Sequence, residues 1–428
     1  MRYDEALAYL DAHSSFERTG RVAEPSMRVI EVLCDLMGHP EHAYRTVHVT
    51  GTNGKGSTVQ VASRLLTAHH LRVGVYTSPH LERINERISI DGEPISDEAF
   101  AEHVGAVADL EVLGGVQPSF FEIMTATALR WFADEGVDAA VVEVGMLGRW
   151  DATNVVDSQV AVVTNIALDH TEYAGPTLAH IAAEKAGIVK PASTLVLGDV
   201  NEDLRGIFLA EEAARRVLRG EDYECERNEL AVGGRLVSVR APRATYDEVF
   251  VPLHGAHQGI NAATAICAAE EFFDAPIARD VLEDAMAHVA MPGRFEVVRR
   301  RPLVVLDGAH NPAGAEVCSQ VFFDDFEPSG RRILVTGSLR SRDPEQMLLA
   351  LRADECDVVV TCRPPSPRGM DAEETAEVAR RIGCEHVIVA PSVARACDLA
   401  LREAGEDDAV LITGSLYVVG GAREHLRQ

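Results

Sequence analysis

The sequence predicts an α/β protein made of two parallel-sheet domains, and three observations carry that prediction. Short apolar runs alternate with amphipathic stretches along most of the chain, as βαβ units require. A glycine-rich turn, Gly51-Thr52-Asn53-Gly54-Lys55-Gly56-Ser57, separates an apolar run from a helical one. Met291-Pro292-Gly293 then breaks a helical pattern, and a second α/β series begins beyond it.

Residues 46–50 (TVHVT) read as a buried strand, followed by the turn and a helix over about 55–70; 72–76 is the next strand. Residues 119–135 are helical and apolar nearly all round, which predicts burial. Strands follow at 138–144 and 160–164, and Pro191 marks the end of a helix containing 182–188. Between 230 and 253 the alternation changes to that of a β-hairpin about Gly233-Gly234, ended by Gly255. Helices at 257–272 and 278–289 precede the linker. Beyond it come strands at 303–306, 332–336, 357–361 and 409–412, with helices between them.

Composition excludes several classes of function. With 46% hydrophobic residues the chain has enough apolar content for real cores, and no apolar run approaches the ~18 residues that span a bilayer. The acidic start, Met1-Arg2-Tyr3-Asp4-Glu5, lacks the basic-then-apolar pattern of a secretory signal. A cytoplasmic protein is expected. The net charge of −27 argues against nucleic acid and anionic membranes as partners. Lys55, Lys185 and Lys190 are the only lysines among 40 basic residues, and such an acidic, lysine-poor chain suggests a halophile's protein. Eight cysteines without C-x-x-C spacing read as reduced, mostly buried residues.

The strongest motif is the turn at 51–57. Its glycines let backbone N–H groups face a phosphate, the helix N-terminus adds positive potential, and Lys55 supplies a point charge. The fit to G-x-x-x-x-G-K-[ST] is imperfect, because Val49 holds the first glycine position and Gly56 separates Lys55 from Ser57. Its glycine order also disfavours a dinucleotide site. Glu143 and Asp169-His170 close later strands, where ligands gather in open parallel sheets. A Glu and a hydroxyl suit Mg²⁺. Taken alone, however, Glu143 reads equally as an ion-pair partner, His170 as an ordinary loop histidine and Lys185 as a solvated helix lysine. Leu306-Asp307-Gly308-Ala309-His310-Asn311-Pro312 fits either a nucleotide contact or a plain turn with a helix cap.

As a set, GTNGKGS (51–57), TSPHL (77–81), SFFE (119–122), VEVGMLGRWDATNV (142–155), NIALDHTEYAG (165–175), EKAGIVKP (184–191), PGRFE (292–296), LDGAHNP (306–312) and TGSLY (413–417) resemble folylpolyglutamate synthase/dihydrofolate synthase, a Mur-ligase-like family of ATP-dependent amide ligases. The resemblance covers nearly the whole chain in order. It implies a P-loop-containing parallel-sheet ATPase domain over 1–291, followed by a smaller Rossmann-like α/β domain over 292–428. It also implies ATP contacts from Thr52, Asn53, Gly54, Lys55, Gly56, Ser57, Asn261, Arg294 and Asp307, and Mg²⁺ held by Ser78, Glu143 and His170. Lys185 matches a lysine that carries a carbamate (N6-carboxylysine), and Lys55, Lys185 and His310 take the catalytic places. Ser119, Phe120, Phe121, Glu122, Trp150, Asp151 and Ala152 match segments lining a pterin pocket. Two departures stand out: Ser26-Met27-Arg28-Val29 replaces a G-L-E-R segment, and Met146-Leu147-Gly148 lacks a usual extra glycine, which predicts a stiffer loop.

The implied reaction joins L-glutamate to dihydropteroate, or to folate already carrying glutamate, through an acyl phosphate, releasing ADP and phosphate; a monomer is expected. Two rivals stand beside it: another Mur-type amino-acid-adding ligase with a non-pterin acceptor, and a non-catalytic nucleotide-gated binding protein.

Overall fold

The computed structural model describes residues 1–20, 26–169, 171–340 and 342–427. Eight strands form the first sheet: β1 (Arg45–Thr50), β2 (Val73–Tyr76), β3 (Ile88–Ile90), β4 (Glu93–Pro94), β5 (Ala139–Glu143), β6 (Val160–Asn165), β7 (Thr194–Asp199) and β8 (Arg215–Leu218). They lie in the order β4-β3-β2-β5-β1-β6-β7-β8. The six from β2 to β8 are parallel, whereas the short β3 and β4 add antiparallel at one edge.

Both faces of this sheet are covered, which is why its strands read as unbroken apolar runs. Side chains alternate between the faces. Val47, Val49, Val141 and Val162 enter a core with the helices Lys55–Ala68, Ala256–Phe273 and Arg279–Ala287. Ala140, Val142 and Tyr76 turn the other way, toward Tyr3–Ala12, Arg28–Met37, Asp97–Gly114 and Phe120–Asp134. Ala161, Val163, Leu195 and Leu197 build a third core with Leu178–Ala186 and Glu202–Leu209.

The hairpin expected around Gly233 is part of a three-stranded antiparallel sheet, β9 (Glu224–Ala231), β10 (Gly234–Arg240) and β11 (Thr245–Val251), in the order β11-β10-β9. Gly233 takes φ +86°, the left-handed turn conformation that glycine adopts readily. Val237, Val239, Val249 and Val251 face the first core, so this small sheet is a lid on the helix Ala256–Phe273.

The last sheet holds β12 (Glu296–Arg300), β13 (Leu303–Leu306), β14 (Arg332–Thr336), β15 (Val358–Cys362), β16 (Val387–Ala390) and β17 (Ala409–Thr413), ordered β12-β13-β17-β14-β15-β16. All pairings are parallel except that of β12 with β13. The fold is therefore two α/β units, and the chain passes between their sheets through Met291-Pro292-Gly293.

Three expected helix ends come two residues early, among them that of the helix expected over 278–289, which ends at Ala287. The helix after the turn at 51–57 stops at Ala68, two residues short of the expected 70. The helix expected through 188 stops at Ala186, because Gly187 packs hard against Arg149: a Cβ there would lie 2.4 Å from that residue's Cβ. All eight cysteines are free, and all but Cys225 are buried. Among the described residues no helix is long and apolar enough to cross a membrane.

Candidate active site

The turn at 51–57 sits at the carboxyl end of β1, in the middle of the first sheet. Gly54 is the N-cap of the following helix, with φ +80° and no side-chain cap, so the first helical N–H groups are left to an outside acceptor. Side chains could not replace these glycines. A Cβ on Gly51 would lie 1.8 Å from Thr164 Oγ1, and one on Gly54 would lie 2.5 Å from Asn261 Oδ1. The turn is laced to β6: Asn53 N donates to Asn165 Oδ1 (2.9 Å), Thr164 Oγ1 to the Asn53 carbonyl (2.6 Å), and Thr52 Oγ1 to the Ala167 carbonyl (3.1 Å). Lys55 Nζ bonds the carbonyls of Gly51 and Thr52, both at 3.2 Å.

Three ionisable side chains are buried around this turn. Glu143, at the end of β5, accepts from Ser78 N (3.3 Å), and a Cβ on Gly56 would lie 3.6 Å from its Oε2. Burial raises the Glu143 carboxyl, and Lys55 and the Ser78 N–H partly offset this. Lys185 is only 6% exposed, contrary to the solvated reading of it in isolation, and its Nζ donates to the Gly51 carbonyl at 2.8 Å. Burial first, then repulsion from Lys55, push its pKa down to about 7, while Asp169 and Asp151 pull the other way. Asp151 is held by Met146 N (2.8 Å), Thr153 N (3.0 Å) and Thr153 Oγ1 (2.5 Å), and burial raises its carboxyl too. His170 lies outside the described residues.

The opposite wall comes from the second unit. Asp307 Oδ1 and Oδ2 accept from Ala309 N and Phe295 N, each at 2.9 Å, so this carboxylate first holds the loop and brings Arg294 beside it. Arg294 packs on Gly308, where a Cβ would fall 2.1 Å from its Nη1. His310 Nδ1 bonds the Gly308 carbonyl (2.9 Å), and burial lowers the ring to about 4, which leaves it neutral. Its Nε2 then remains an acceptor.

Asn311 closes the two walls together, a role the sequence reading did not assign. Its Nδ2 donates to Asn53 Oδ1 (3.0 Å) and Asp169 Oδ2 (3.1 Å), and Asn53 Nδ2 returns a longer bond at 3.4 Å. Arg342 reaches Asp169 from the same side (2.5 Å). Between the walls lies a cavity of about 710 Å³. It is lined by all the expected nucleotide and acceptor residues, by Ser78, Glu143, Lys185 and His310, and by Ser26 from the divergent early segment.

The side chains expected to line an acceptor pocket divide into two kinds. Ser119 and Glu122 form a capping box: Glu122 Oε2 accepts from Ser119 N and Oγ, both at 2.7 Å, so this carboxylate is engaged in starting the helix. Phe120 lies under Arg87 (5.2 Å to the ring centroid), and Phe121 covers Gly145, where a Cβ would meet the ring at 2.3 Å. Trp150 is 47% exposed at the rim, while Asp151 and Ala152 are buried. The loop at 146–148, expected to be stiffer than usual, is anchored at its centre. Leu147 is buried with φ +66°, and its carbonyl accepts from Thr50 Oγ1 (3.1 Å).

The Mur ligase middle domain family matches residues 49–269, and the Mur ligase glutamate ligase domain family matches 293–416. A dihydrofolate synthase/folylpolyglutamate synthase of Mycobacterium tuberculosis is 39% identical over 94% of this chain and 90% of its own length. The chain belongs to the folylpolyglutamate synthase/dihydrofolate synthase family. Folylpolyglutamate synthase of M. tuberculosis complexed with ADP superposes with a TM-score of 0.92 at 35% identity, covering 100% of this chain and 98% of that one. Escherichia coli FolC in complex with DHPP and ADP gives 0.88 at 29% identity, with the same coverage. The chain is accordingly an ATP-dependent ligase with the two-domain Mur-ligase-like fold.

The donors around the turn suit the metal that such a ligase implies. Glu143 offers a buried hard oxygen beside Gly56 and Ser78, and among the described residues no arginine or lysine is hydrogen-bonded to it, which suits Mg²⁺.

Proposed function

We propose that this chain joins L-glutamate to a pterin-class acceptor, dihydropteroate or a folate already carrying glutamate, with consumption of ATP. The observation that carries this reading is the single cavity in which Lys55 and the uncapped helix N-terminus face Arg294 and His310 across the Asn53–Asn311 bridge. The acceptor carboxylate oxygen attacks the γ-phosphorus, and ADP leaves. The glutamate amine then attacks the acyl carbon, and phosphate leaves with that oxygen while the amine loses its proton. Lys55, the turn's N–H groups and Arg294 take up charge on the transferring group. His310, neutral and with Nε2 free to accept, orients the attacking amine.

Mg²⁺ would be held by Ser78, Glu143 and His170, and would neutralise phosphate charge when bound. Lys185, buried and poised to be neutral near pH 7, is suited to react with CO₂, and the resulting carbamate would carry a negative charge beside Lys55. Phe120, Phe121, Trp150 and Ala152 supply the apolar contacts for a flat ring system. We place the domain boundary at 291/292 and read the protein as a cytoplasmic, halophilic monomer.

The test is a purified-protein assay of glutamate-dependent ADP release, with dihydropteroate and tetrahydrofolate supplied separately in Mg²⁺ and high KCl. Turnover with either acceptor is expected, falling as KCl is withdrawn. Turnover only with a non-pterin acid would replace the acceptor assignment. Activity that rises as KCl is removed would end the halophilic reading.

A further inference from the structure

Away from the cavity, the turn after the helix Arg28–Met37 carries His39-Pro40-Glu41-His42. His39 takes φ +59° and Pro40–His42 forms one 3₁₀ turn, and this backbone brings three side chains together. One donor atom from each of His39, Glu41 and His42 lies within 4.8 Å of the other two. Glu41 Oε1 is 2.9 Å from His39 Nδ1 and 3.8 Å from His42 Nε2. Ligands at ~2.0–2.2 Å from one ion stand about 2.9–3.5 Å apart at tetrahedral or right-angle geometry, so the Glu41–His39 pair is already at ligand spacing and the Glu41–His42 pair is close to it.

The carboxylate is the unusual member. Glu41 is only 5% exposed, yet among the described residues no arginine or lysine pairs with it, and its buried Oε2 meets no hydrogen-bond donor of ordinary geometry. The nearby Cys34 thiol is a weak donor. Both imidazoles remain about half exposed, which gives an ion a way in. Two further carboxylates complete the surroundings. Asp157, from the segment before β6, places Oδ2 3.6 Å from His42 Nε2. Asp35 Oδ1 lies 3.4 Å from His39 Nε2, so it fixes that ring with Nδ1 turned toward Glu41, as outer carboxylates do for metal-bound histidines.

We propose that His39, Glu41 and His42 form a binding site for a divalent transition metal of the Zn²⁺ type, with solvent completing the coordination and Asp35 positioning His39. Two imidazoles and one carboxylate match that ion class better than Mg²⁺ or Ca²⁺. A bound ion would neutralise the buried carboxylate and fix the turn that follows the helix Arg28–Met37.

The experiment uses the full chain, freed of metal by chelation and then saturated with Mg²⁺ and nucleotide so that the ligase site is filled. It is titrated with Zn²⁺ by calorimetry and with Co²⁺ by visible absorption. A single saturable site is expected, with Co²⁺ bands of tetrahedral or five-coordinate character. The variant His39→Asn/His42→Gln, in which asparagine keeps the positive φ accessible, is expected to lose Zn²⁺ affinity by at least about 100-fold while retaining ligase turnover. The single variant His42→Gln serves if the double one does not fold. No saturable uptake by the native chain, meaning ion pairing only, would overturn the site, as would equal uptake by native chain and variant.

Discussion

Lys55 and Lys185 direct their amines at one atom, the carbonyl oxygen of Gly51, at 3.2 and 2.8 Å. Two of the chain's three lysines thus meet at the turn at 51–57. Lys185 is buried there, and Lys55 repels its charged form. The arrangement brings the Lys185 pKa down to about 7, so a large share of the amine is neutral near physiological pH, the form that reacts with CO₂.

This has a consequence for stability. Lys185 titrates near 7 when folded, against 10.5 for an ordinary lysine. Above pH 7 the folded chain holds the neutral amine while the unfolded chain still binds the proton, so stability rises with pH from about 7 to about 10.5 and then levels off. Lys185→Met removes that slope. Denaturant melts at a series of pH values check it; identical slopes in both proteins would show that Lys185 is not titrating there.

Lys185→Ala should cripple turnover, with partial recovery on adding short carboxylic acids that supply the missing carboxylate. Unaltered activity would dismiss a catalytic Lys185.

Lys55→Ala should lower kcat by about 10²–10³, the usual loss when a charge aimed at the transition state is removed. The same change lifts the repulsion on Lys185, so the pH window of the stability slope should begin higher. Near-normal turnover would refute the phosphate-binding assignment.

Asn311→Asp keeps the acceptor that caps the helix through Gly314 N (2.8 Å), but loses the donor shared by Asn53 and Asp169. It also sets a second carboxylate against Asp169. A loss of about 1–3 kcal/mol is expected in equilibrium unfolding, with a fall in kcat. An unchanged melt and kcat would mean that the bridge does not hold the walls together.

Glu143→Gln should raise the Mg²⁺ needed for half-maximal rate by at least about 10-fold. Since burial disfavours the Glu143 carboxylate, the metal-free variant should be no less stable than the native chain at neutral pH. An unchanged Mg²⁺ titration removes Glu143 from the metal site.

What the sequence disclosed follows from how local each signal is. The turn at 51–57 is contiguous, and its strand–turn–helix setting is visible in the flanking residues. SFFE is likewise a local capping box, so the structural duty of Glu122 could have been read from spacing alone. The Asn53–Asn311 pair joins residues 258 apart, and Arg342 meets Asp169 across 173; neither has a local pattern. Lys185 misleads when read alone, because a lysine on an amphipathic helix is usually solvated. The match of the EKAGIVKP segment to the family pattern is what pointed elsewhere. The strand β9 was invisible for a different reason: half of Glu224–Ala231 is charged, and it pairs through its backbone at a sheet edge.

The most direct measurement follows oxygen. The acceptor is prepared with ¹⁸O in its carboxyl group, incubated with ATP, Mg²⁺ and glutamate, and the inorganic phosphate is examined by mass spectrometry. Activation by phosphoryl transfer predicts one labelled oxygen in each phosphate released. Unlabelled phosphate alongside amide product would contradict it.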